Sequence, residues 1–161
     1  MRTIPRWLSL MMVLLSGCSA APPPPAPPFT AVVNFRQLMD WVIDPAADVI
    51  WDSVKFIITV KGTQEIAPRS DEQWDAVRNG AATLAESANL LMIEGRARDT
   101  KEWMAMARRL STTAEQALKA AEAKNVEALF AAGGEIYNAC RDCHTRYAPE
   151  PPDAAPQKAA K

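Results

Sequence analysis

Cysteine and histidine side chains come together in one short stretch near the end of the sequence, Cys140-Arg141-Asp142-Cys143-His144. This C-x-x-C-H pattern is the attachment signature of a c-type haem. Two thiols at this spacing can add across the two vinyl groups of one porphyrin, and the imidazole that follows can bind the iron. On a helix, Cys140 and His144 are four residues apart and share a face. We therefore predict that Cys140 and Cys143 bind haem c covalently and that His144, the only histidine in the chain, is an axial iron ligand.

Three other interpretations of this motif stay open. A C-x-x-C pair can be a redox dithiol, although such a pair is typical of a strand–helix context that the sequence does not indicate. Two cysteines and one histidine can bind zinc, but a structural zinc site needs four ligands and the sequence shows no second cluster. The pattern can also arise by chance in a chain with three cysteines.

Residues 1–18 have the features of a bacterial lipoprotein signal peptide in the right order. Arg2 and Arg6 precede an apolar run that is too short for a membrane span, and Leu-Ser-Gly-Cys then ends at Cys18. We predict that residues 1–17 are a signal peptide and that Cys18 is lipidated, which would anchor the chain to a membrane. The alternative is an ordinary signal peptide that leaves Cys18 free.

Export agrees with the haem interpretation, because bacterial c-type haem is attached outside the cytoplasm. We expect the protein on the periplasmic side of the cell envelope. In lipoproteins of this kind, a serine after the cysteine, here Ser19, indicates the outer membrane rather than the inner one.

Proline-rich segments flank the rest of the chain. After Cys18, residues 19–28 favour an extended polyproline conformation, so residues 18–28 are predicted to be a lipidated cysteine and spacer. Residues 149–161 are rich in proline and alanine and are predicted to be a disordered tail. One domain, residues 29–148, remains. The net charge of −1 and the absence of a basic patch do not indicate nucleic-acid binding.

Apolar residues in the domain recur at steps of three and four, which is typical of helices with one buried face. The predicted helices begin at Phe29, Ser70, Asp99 and Val126, and the last one passes through the C-x-x-C-H motif. The sequence shows no convincing strand, and the first helix is expected to continue to Val60. Four amphipathic helices with short connections predict an all-α fold, an antiparallel four-helix bundle with haem on the C-terminal helix.

Three local features refine this prediction. Ser70 and Gln73 have the spacing of a capping box. Asp44-Pro45 interrupts the first helix and predicts either one kinked helix or two consecutive helices. Gly133-Gly134 in the last helix fits either a close approach of the porphyrin or a tight helix crossing. We expect the tryptophans within the helices to pack in the core or against haem, namely Trp41, Trp51, Trp74 and Trp103.

A single C-x-x-C-H near the C-terminus of a four-helix bundle resembles the class II c-type cytochromes, which are cytochrome c′ and its low-spin relatives. The residues that match the last helix of this family are Tyr137, Cys140, Cys143, His144 and Tyr147. Arg36-Gln37 is similar to the Arg-Gln that opens the distal region of the family. The resemblance covers residues 29–148 in architecture.

The resemblance implies a distal haem ligand on the first helix. Met39 is the candidate sixth ligand, since a thioether suits haem iron. In the family the distal residue typically falls four positions after the arginine, whereas Met39 falls three after Arg36 and Asp40 occupies the fourth position. Met39 as a core residue stays an alternative. Arg36 is a candidate contact for a haem propionate, or it lies on a solvated helix face.

Two functions follow from the resemblance. With Met39 bound, the protein would carry single electrons between redox partner proteins of the envelope. With an open distal side, it would be a five-coordinate protein that binds NO or CO. The residues indicate no hydrolytic or nucleophilic centre, so an enzyme is not expected. Many class II bundles pair through their first two helices, which implies a homodimer. A haem-free helical lipoprotein is the third interpretation.

Overall fold

The computed structural model describes residues 29–148. The predicted signal peptide, the lipidation site at Cys18, the linker and the tail after residue 148 lie outside the described residues.

Helices form most of the described chain, together with one small β-sheet, which is compatible with an all-α fold. The elements in chain order are α1 (Phe35–Leu38), a π-helical segment (Met39–Ile43), α2 (Asp44–Ser53), β1 (Lys55–Thr59), β2 (Gly62–Ile66), α3 (Asp71–Ser87), a 3₁₀ segment (Ala88–Leu91), α4 (Glu102–Glu122) and α5 (Val126–Tyr147). Helix α3 packs between α2 and α4, α4 also packs against α5, and α5 contacts α2. Between residues 29 and 148 no helix is long and apolar enough to cross a membrane.

Side chains cap the helix starts at several predicted places. The Ser70 hydroxyl accepts a hydrogen bond from the Gln73 amide at 3.3 Å, and the Gln73 side chain accepts one from the Ser70 amide at 3.2 Å. The capping box is therefore confirmed. Asp99 precedes α4 rather than beginning it, yet its carboxylate accepts hydrogen bonds from the backbone amides of Lys101 and Trp103.

The first helix is shorter than predicted. It begins at Phe35 rather than Phe29, because Asn34 and Gln37 form a capping box there. The interruption at Asp44-Pro45 does not separate two helices: α1, the π-helical segment and α2 follow one another without a break. Asp44 has helical dihedrals, φ −60° and ψ −49°, so it does not cap a new helix.

The prediction of no strand and of a helix to Val60 is wrong. Helix α2 ends at Ser53, and β1 pairs antiparallel with β2 in a hairpin. A run of aromatic and β-branched residues after Ser53 favours strand over helix. Gly62 has φ +127°, which glycine adopts most readily, directly after the turn. Phe56 and Val60 continue the three-four step and were expected on the buried face, but Phe56 is 50% exposed and Val60 is fully exposed.

The hydrophobic core lies between the four helical stretches of the described chain. Its fully buried large side chains include Leu38, Ile50, Leu84, Leu129 and Ile136. Trp74 and Trp103 are buried in this core as expected, and Trp51 is partly buried against it. Trp41 is 61% exposed and does not join the core.

Candidate functional site

The C-x-x-C-H motif lies in the last two turns of α5, at the end of the helix where several contacts fix it. The Tyr147 hydroxyl donates a hydrogen bond to the Asp99 carboxylate, and the ring of Tyr147 meets Trp103 edge-on with centroids 4.9 Å apart. Both motif cysteines are free thiols and partly buried, whereas His144 is exposed. The fold therefore holds the three predicted attachment residues at one end of a packed helix.

Ion pairs also hold the motif turn against α4. Asp142, between the two cysteines, accepts a hydrogen bond from Arg109 of α4 at 2.6 Å, and Arg141 also contacts its carboxylate at 2.8 Å. One helical turn later, Arg146 pairs with Glu102 at 3.1 Å. Ion pairs as exposed as these contribute little to stability, so the contacts orient the motif more than they stabilise the fold.

An open groove of about 630 Å³ runs along the motif between α2 and α5, and we call it the motif groove. Its walls are Asp44, Trp51, Tyr137, Cys140, Arg141, His144, Thr145 and Ala148. The Trp51 indole donates a hydrogen bond to the carbonyl of Gly133 at 2.9 Å, which fixes the ring in the groove wall. Ligand sites in proteins commonly measure roughly 300–1,000 Å³, so the groove has the size of a cofactor site.

A second, smaller cavity of about 30 Å³ lies behind the motif, and we call it the inner cavity. It lies between the continuous helix formed by α1, the π-helical segment and α2 on one side and helices α4 and α5 on the other. Its walls are mostly apolar and include the thioethers of Met39 and Met106, together with Ile43, Leu91, Trp103 and Leu110. Asp44, Cys140 and His144 line both the inner cavity and the motif groove, so the cysteine and the imidazole stand between the two spaces.

Burial sets the protonation of the two thiols. Burial, with smaller contributions from the nearby Asp44 and Cys143, raises the pKa of Cys140 to about 11. Burial also raises the pKa of Cys143. For Asp44, burial raises the pKa, and the neighbouring His144 partly opposes the rise. Both cysteines are therefore thiols at neutral pH, unlike the low-pKa thiolates of redox dithiol sites.

The structure brings Met39 to the motif but not Arg36. Met39, in the π-helical segment, lines the inner cavity together with His144. Arg36 pairs with Asp40 at 3.3 Å, its side chain is 89% exposed, and it lines neither the groove nor the inner cavity.

The two glycines of α5 have different surroundings. A Cβ at Gly133 would lie 3.5 Å from Cδ1 of Trp51, so Gly133 is a point of close packing against α2. A Cβ at Gly134 would meet no atom within 4 Å. Gly134 instead opens into a notch of about 290 Å³ that shares Trp51 and Tyr137 with the motif groove.

Sequence reasoning missed two residues of the site. Asp44 was noted only as part of a helix interruption, yet it lines both spaces. Met106 of α4 was not among the candidate ligands, yet it lines the inner cavity with Met39. Met106 fits the three-four step of apolar residues in the third predicted helix, which indicates burial. Only the packing of the helices shows that this buried face meets the motif.

No group of three or more histidine, cysteine, aspartate or glutamate side chains in residues 29–148 is arranged to hold a metal ion. The described side chains thus do not form the four-ligand set of a structural zinc site. The sequence matches no protein-family model, and it has no significant match among curated proteins or solved structures. Inferences about function therefore depend on the motif and the two spaces beside it.

Proposed function

We propose that the protein is a c-type cytochrome of the class II kind, a four-helix bundle that carries haem c on α5 and passes single electrons in the cell envelope. One observation carries the proposal. The two free thiols and the only imidazole of the chain lie on one helix, next to a groove of about 630 Å³ with aromatic walls. Packing of α2 against α3, α3 against α4 and α4 against α5 supports the bundle architecture.

The side chains of the motif groove suit a flat, largely apolar macrocycle. Trp51 and Tyr137 offer aromatic surface, and Arg141 and Thr145 offer polar groups at the same groove. Haem, when bound, supplies a one-electron iron centre whose potential depends on its axial ligands and its burial.

The two cysteines supply the covalent attachment. Each S–H would add across one vinyl C=C bond of haem, so that one C–S and one C–H bond would form and no group would leave. Neither oxidant nor reductant is consumed. Burial raises the pKa of the Cys140 thiol to about 11, in contrast to the lowered pKa that is typical of a redox dithiol.

His144 would bind the iron, and Met39 is the proposed second ligand. Met39 lines the inner cavity together with His144, so its thioether lies near the motif. A histidine–methionine pair gives a low-spin iron with a raised potential, as an electron carrier needs. Met106 lines the same cavity and is the second candidate thioether.

The inner cavity also favours a second candidate function. Its volume of about 30 Å³ is enough for one water-sized molecule, and its walls are mainly apolar. If Met39 only packs there, the iron would be five-coordinate and could bind NO or CO. Binding of such a gas would then replace electron transfer as the main function.

The order of features in residues 1–28 supports the location. Lipidation of Cys18 and the proline-rich spacer would hold the bundle on the periplasmic side, at the outer membrane, where it would meet redox partner proteins.

Detection of covalently bound haem in the expressed protein tests the proposal. Protein made in cells with a c-type maturation system is expected to keep a haem stain on a denaturing gel and to gain the mass of one haem. The double variant Cys140→Ala/Cys143→Ala should lose both signals. The matched control Cys18→Ala, which changes the third cysteine, should keep the haem and lose only the lipid. A colourless wild-type protein overturns the proposal.

A further inference from the structure

Two aromatic rings connect the inner cavity with the protein surface. Trp103 is 3% exposed and lines the inner cavity beside Met39 and Met106. The ring of Tyr147 meets Trp103 edge-on with centroids 4.9 Å apart, and Tyr147 is only partly buried. Aromatic rings at this separation are in direct contact. An electron can therefore pass from Tyr147 to Trp103, and from there to the cavity, without crossing a gap between side chains.

The two rings differ in the group that holds their acidic hydrogen. The Trp103 indole donates its N–H to the backbone carbonyl of Leu91 at 2.7 Å. A neutral carbonyl is a very weak base, so this contact offers an oxidised Trp103 no acceptor for its proton. The Tyr147 hydroxyl instead donates to the carboxylate of Asp99, which can take a proton. Phe35 also contacts Trp103, with centroids 5.5 Å apart, but a phenylalanine ring is much harder to oxidise than a phenol. An electron that Trp103 loses is therefore expected to be replaced from Tyr147.

Asp99 is arranged to take the phenolic proton. One of its carboxylate oxygens, Oδ1, accepts hydrogen bonds from the backbone amides of Lys101 at 2.9 Å and Trp103 at 3.1 Å. The other oxygen, Oδ2, accepts the hydrogen bond from Tyr147. The hydrogen bond from Tyr147, followed by those from the backbone amides, lowers the pKa of Asp99, so the group is ionised at neutral pH. The proton therefore has an ionised acceptor one hydrogen bond away.

We propose that Tyr147 and Trp103 form an electron relay that supplies electrons to an oxidant at the inner cavity, with Asp99 as the proton acceptor. The oxidant gains one electron from Trp103, and Trp103 regains one from Tyr147. The phenolic proton moves from Oη of Tyr147 to Oδ2 of Asp99, which gives a neutral tyrosyl radical and a carboxylic acid. A one-electron reductant such as ascorbate then supplies one electron, and the proton returns from Asp99 to the phenol.

The relay would protect the two thioethers that share the cavity. Met39 and Met106 line the same cavity as Trp103, and oxidation would turn either into a polar sulfoxide. Electrons supplied through Trp103 would reduce the oxidant before a thioether does. The identity of the natural oxidant rests on the proposed function, since it would be an oxidised haem iron bound at His144. The relay itself needs only a one-electron oxidant.

Photochemical oxidation followed by electron paramagnetic resonance tests the relay in protein with or without haem. The full chain with Cys18→Ser is illuminated in the absence of oxygen with a ruthenium tris(bipyridine) sensitiser and a cobalt(III) electron acceptor. We expect a neutral tyrosyl radical, identified by the narrower signal of protein made with ring-deuterated tyrosine. Tyr147→Phe should abolish this radical. The matched control is Tyr137→Phe, which changes the only other tyrosine of the chain and should keep the radical.

Two further measurements serve in case Tyr147→Phe does not fold. Asp99→Asn keeps an oxygen that accepts the hydrogen bond but removes the base, so the radical should be lost. Without any substitution in residues 29–148, the radical should form more slowly in deuterium oxide, because the proton moves together with the electron. A radical that is lost in Tyr137→Phe overturns the proposal, as does a radical that forms equally well in Asp99→Asn.

Methionine oxidation measures the protective role. A thioether that loses two electrons takes oxygen from water and becomes a sulfoxide. After the same illumination, Trp103→Phe should raise the fractions of Met39 and Met106 that mass spectrometry detects as sulfoxide, and unchanged fractions overturn the protective role. A radical on Tyr147 in protein that fails to attach haem would contradict only the proposed function. Protein that carries haem but forms no radical on Tyr147 would contradict only the relay.

Discussion

Replacing Gly80 with alanine tests how closely α2 must approach α3. A Cβ at Gly80 would lie 2.8 Å from Cγ1 and 2.9 Å from Cβ of Val49, and 3.3 Å from the carbonyl oxygen of Ala46. Carbon atoms prefer separations of about 3.5–4.0 Å. The Cβ of Val49 and the carbonyl of Ala46 are fixed to the backbone of α2, so a new rotamer cannot relieve the overlap. The two helices must separate.

Two opposing terms set the size of the effect. Alanine in place of glycine inside a helix stabilises by about 1 kcal/mol. Overpacking at a close contact costs about 1–3 kcal/mol. We therefore expect Gly80→Ala to lower the free energy of unfolding by about 1 kcal/mol. Gly134→Ala is the matched control, because it makes the same exchange inside α5 with no atom within 4 Å of the new Cβ. It should raise the free energy of unfolding by about 1 kcal/mol.

Urea unfolding followed by circular dichroism measures both variants in the same maturation state. The difference between the two variants cancels the helix-propensity term and isolates the packing cost, about 1–3 kcal/mol. If the slope of the unfolding free energy against urea concentration is unchanged, the substitutions do not alter the surface exposed on unfolding. If Gly80→Ala proves as stable as Gly134→Ala, α2 and α3 do not cross as closely as the structure shows.

Two further predictions concern the site itself. Met39→Ala should convert a low-spin optical spectrum that does not respond to CO into a high-spin spectrum that shifts with CO, while Met106→Ala should leave the spectrum low-spin. The reverse result would assign the ligand to Met106. If neither variant changes the spectrum, both methionines are packing residues. Tyr147→Phe should remove one pH dependence of unfolding, because burial and the hydrogen bond to Asp99 raise the pKa of Tyr147 to about 12. Since the folded-state pKa lies above the unfolded value of about 10, the phenol stabilises fully below pH 10 and this contribution is lost between about pH 10 and 12. Unfolding midpoints that fall in parallel for wild type and Tyr147→Phe over this range contradict the assigned hydrogen bond.

Local signals predicted the parts of the fold that depend on neighbouring residues. The capping box of Ser70 and Gln73 and the start of the last helix at Val126 need only a few adjacent side chains, so the sequence shows them directly. The hairpin was missed for a physical reason. Phe56 and Val60 fit the three-four step of the preceding helix, although the run Ile57-Ile58-Thr59-Val60 before Gly62 also carries the β-branched signal of a strand.

The candidate site likewise has one part that the local sequence predicts and another that depends on the packing of distant residues. The spacing of Cys140, Cys143 and His144 identifies the motif without any knowledge of the fold. Trp51 and Asp44 reach the motif only because α2 packs near α5, and no spacing along the chain encodes that contact. Arg36 shows the opposite case. Arg36-Gln37 matches the pattern of the family that the sequence resembles, yet Arg36 is exposed and lines neither the motif groove nor the inner cavity.

The π-helical segment explains how the first helical stretch can serve the site in spite of a proline. Pro45 lacks an amide hydrogen, and its ring would clash with the carbonyl of Trp41 in a regular α-helix. The wider turn places the amide of Asp44 on the carbonyl of Met39, five residues back. The chain therefore passes Pro45 without ending the helix. Met39, Ile43 and Asp44 all line the inner cavity as a result, and such wide turns are frequent at functional sites. Pro45 interrupts the sequence pattern, but the helix stays continuous beside the inner cavity, where the proposed ligand Met39 lies.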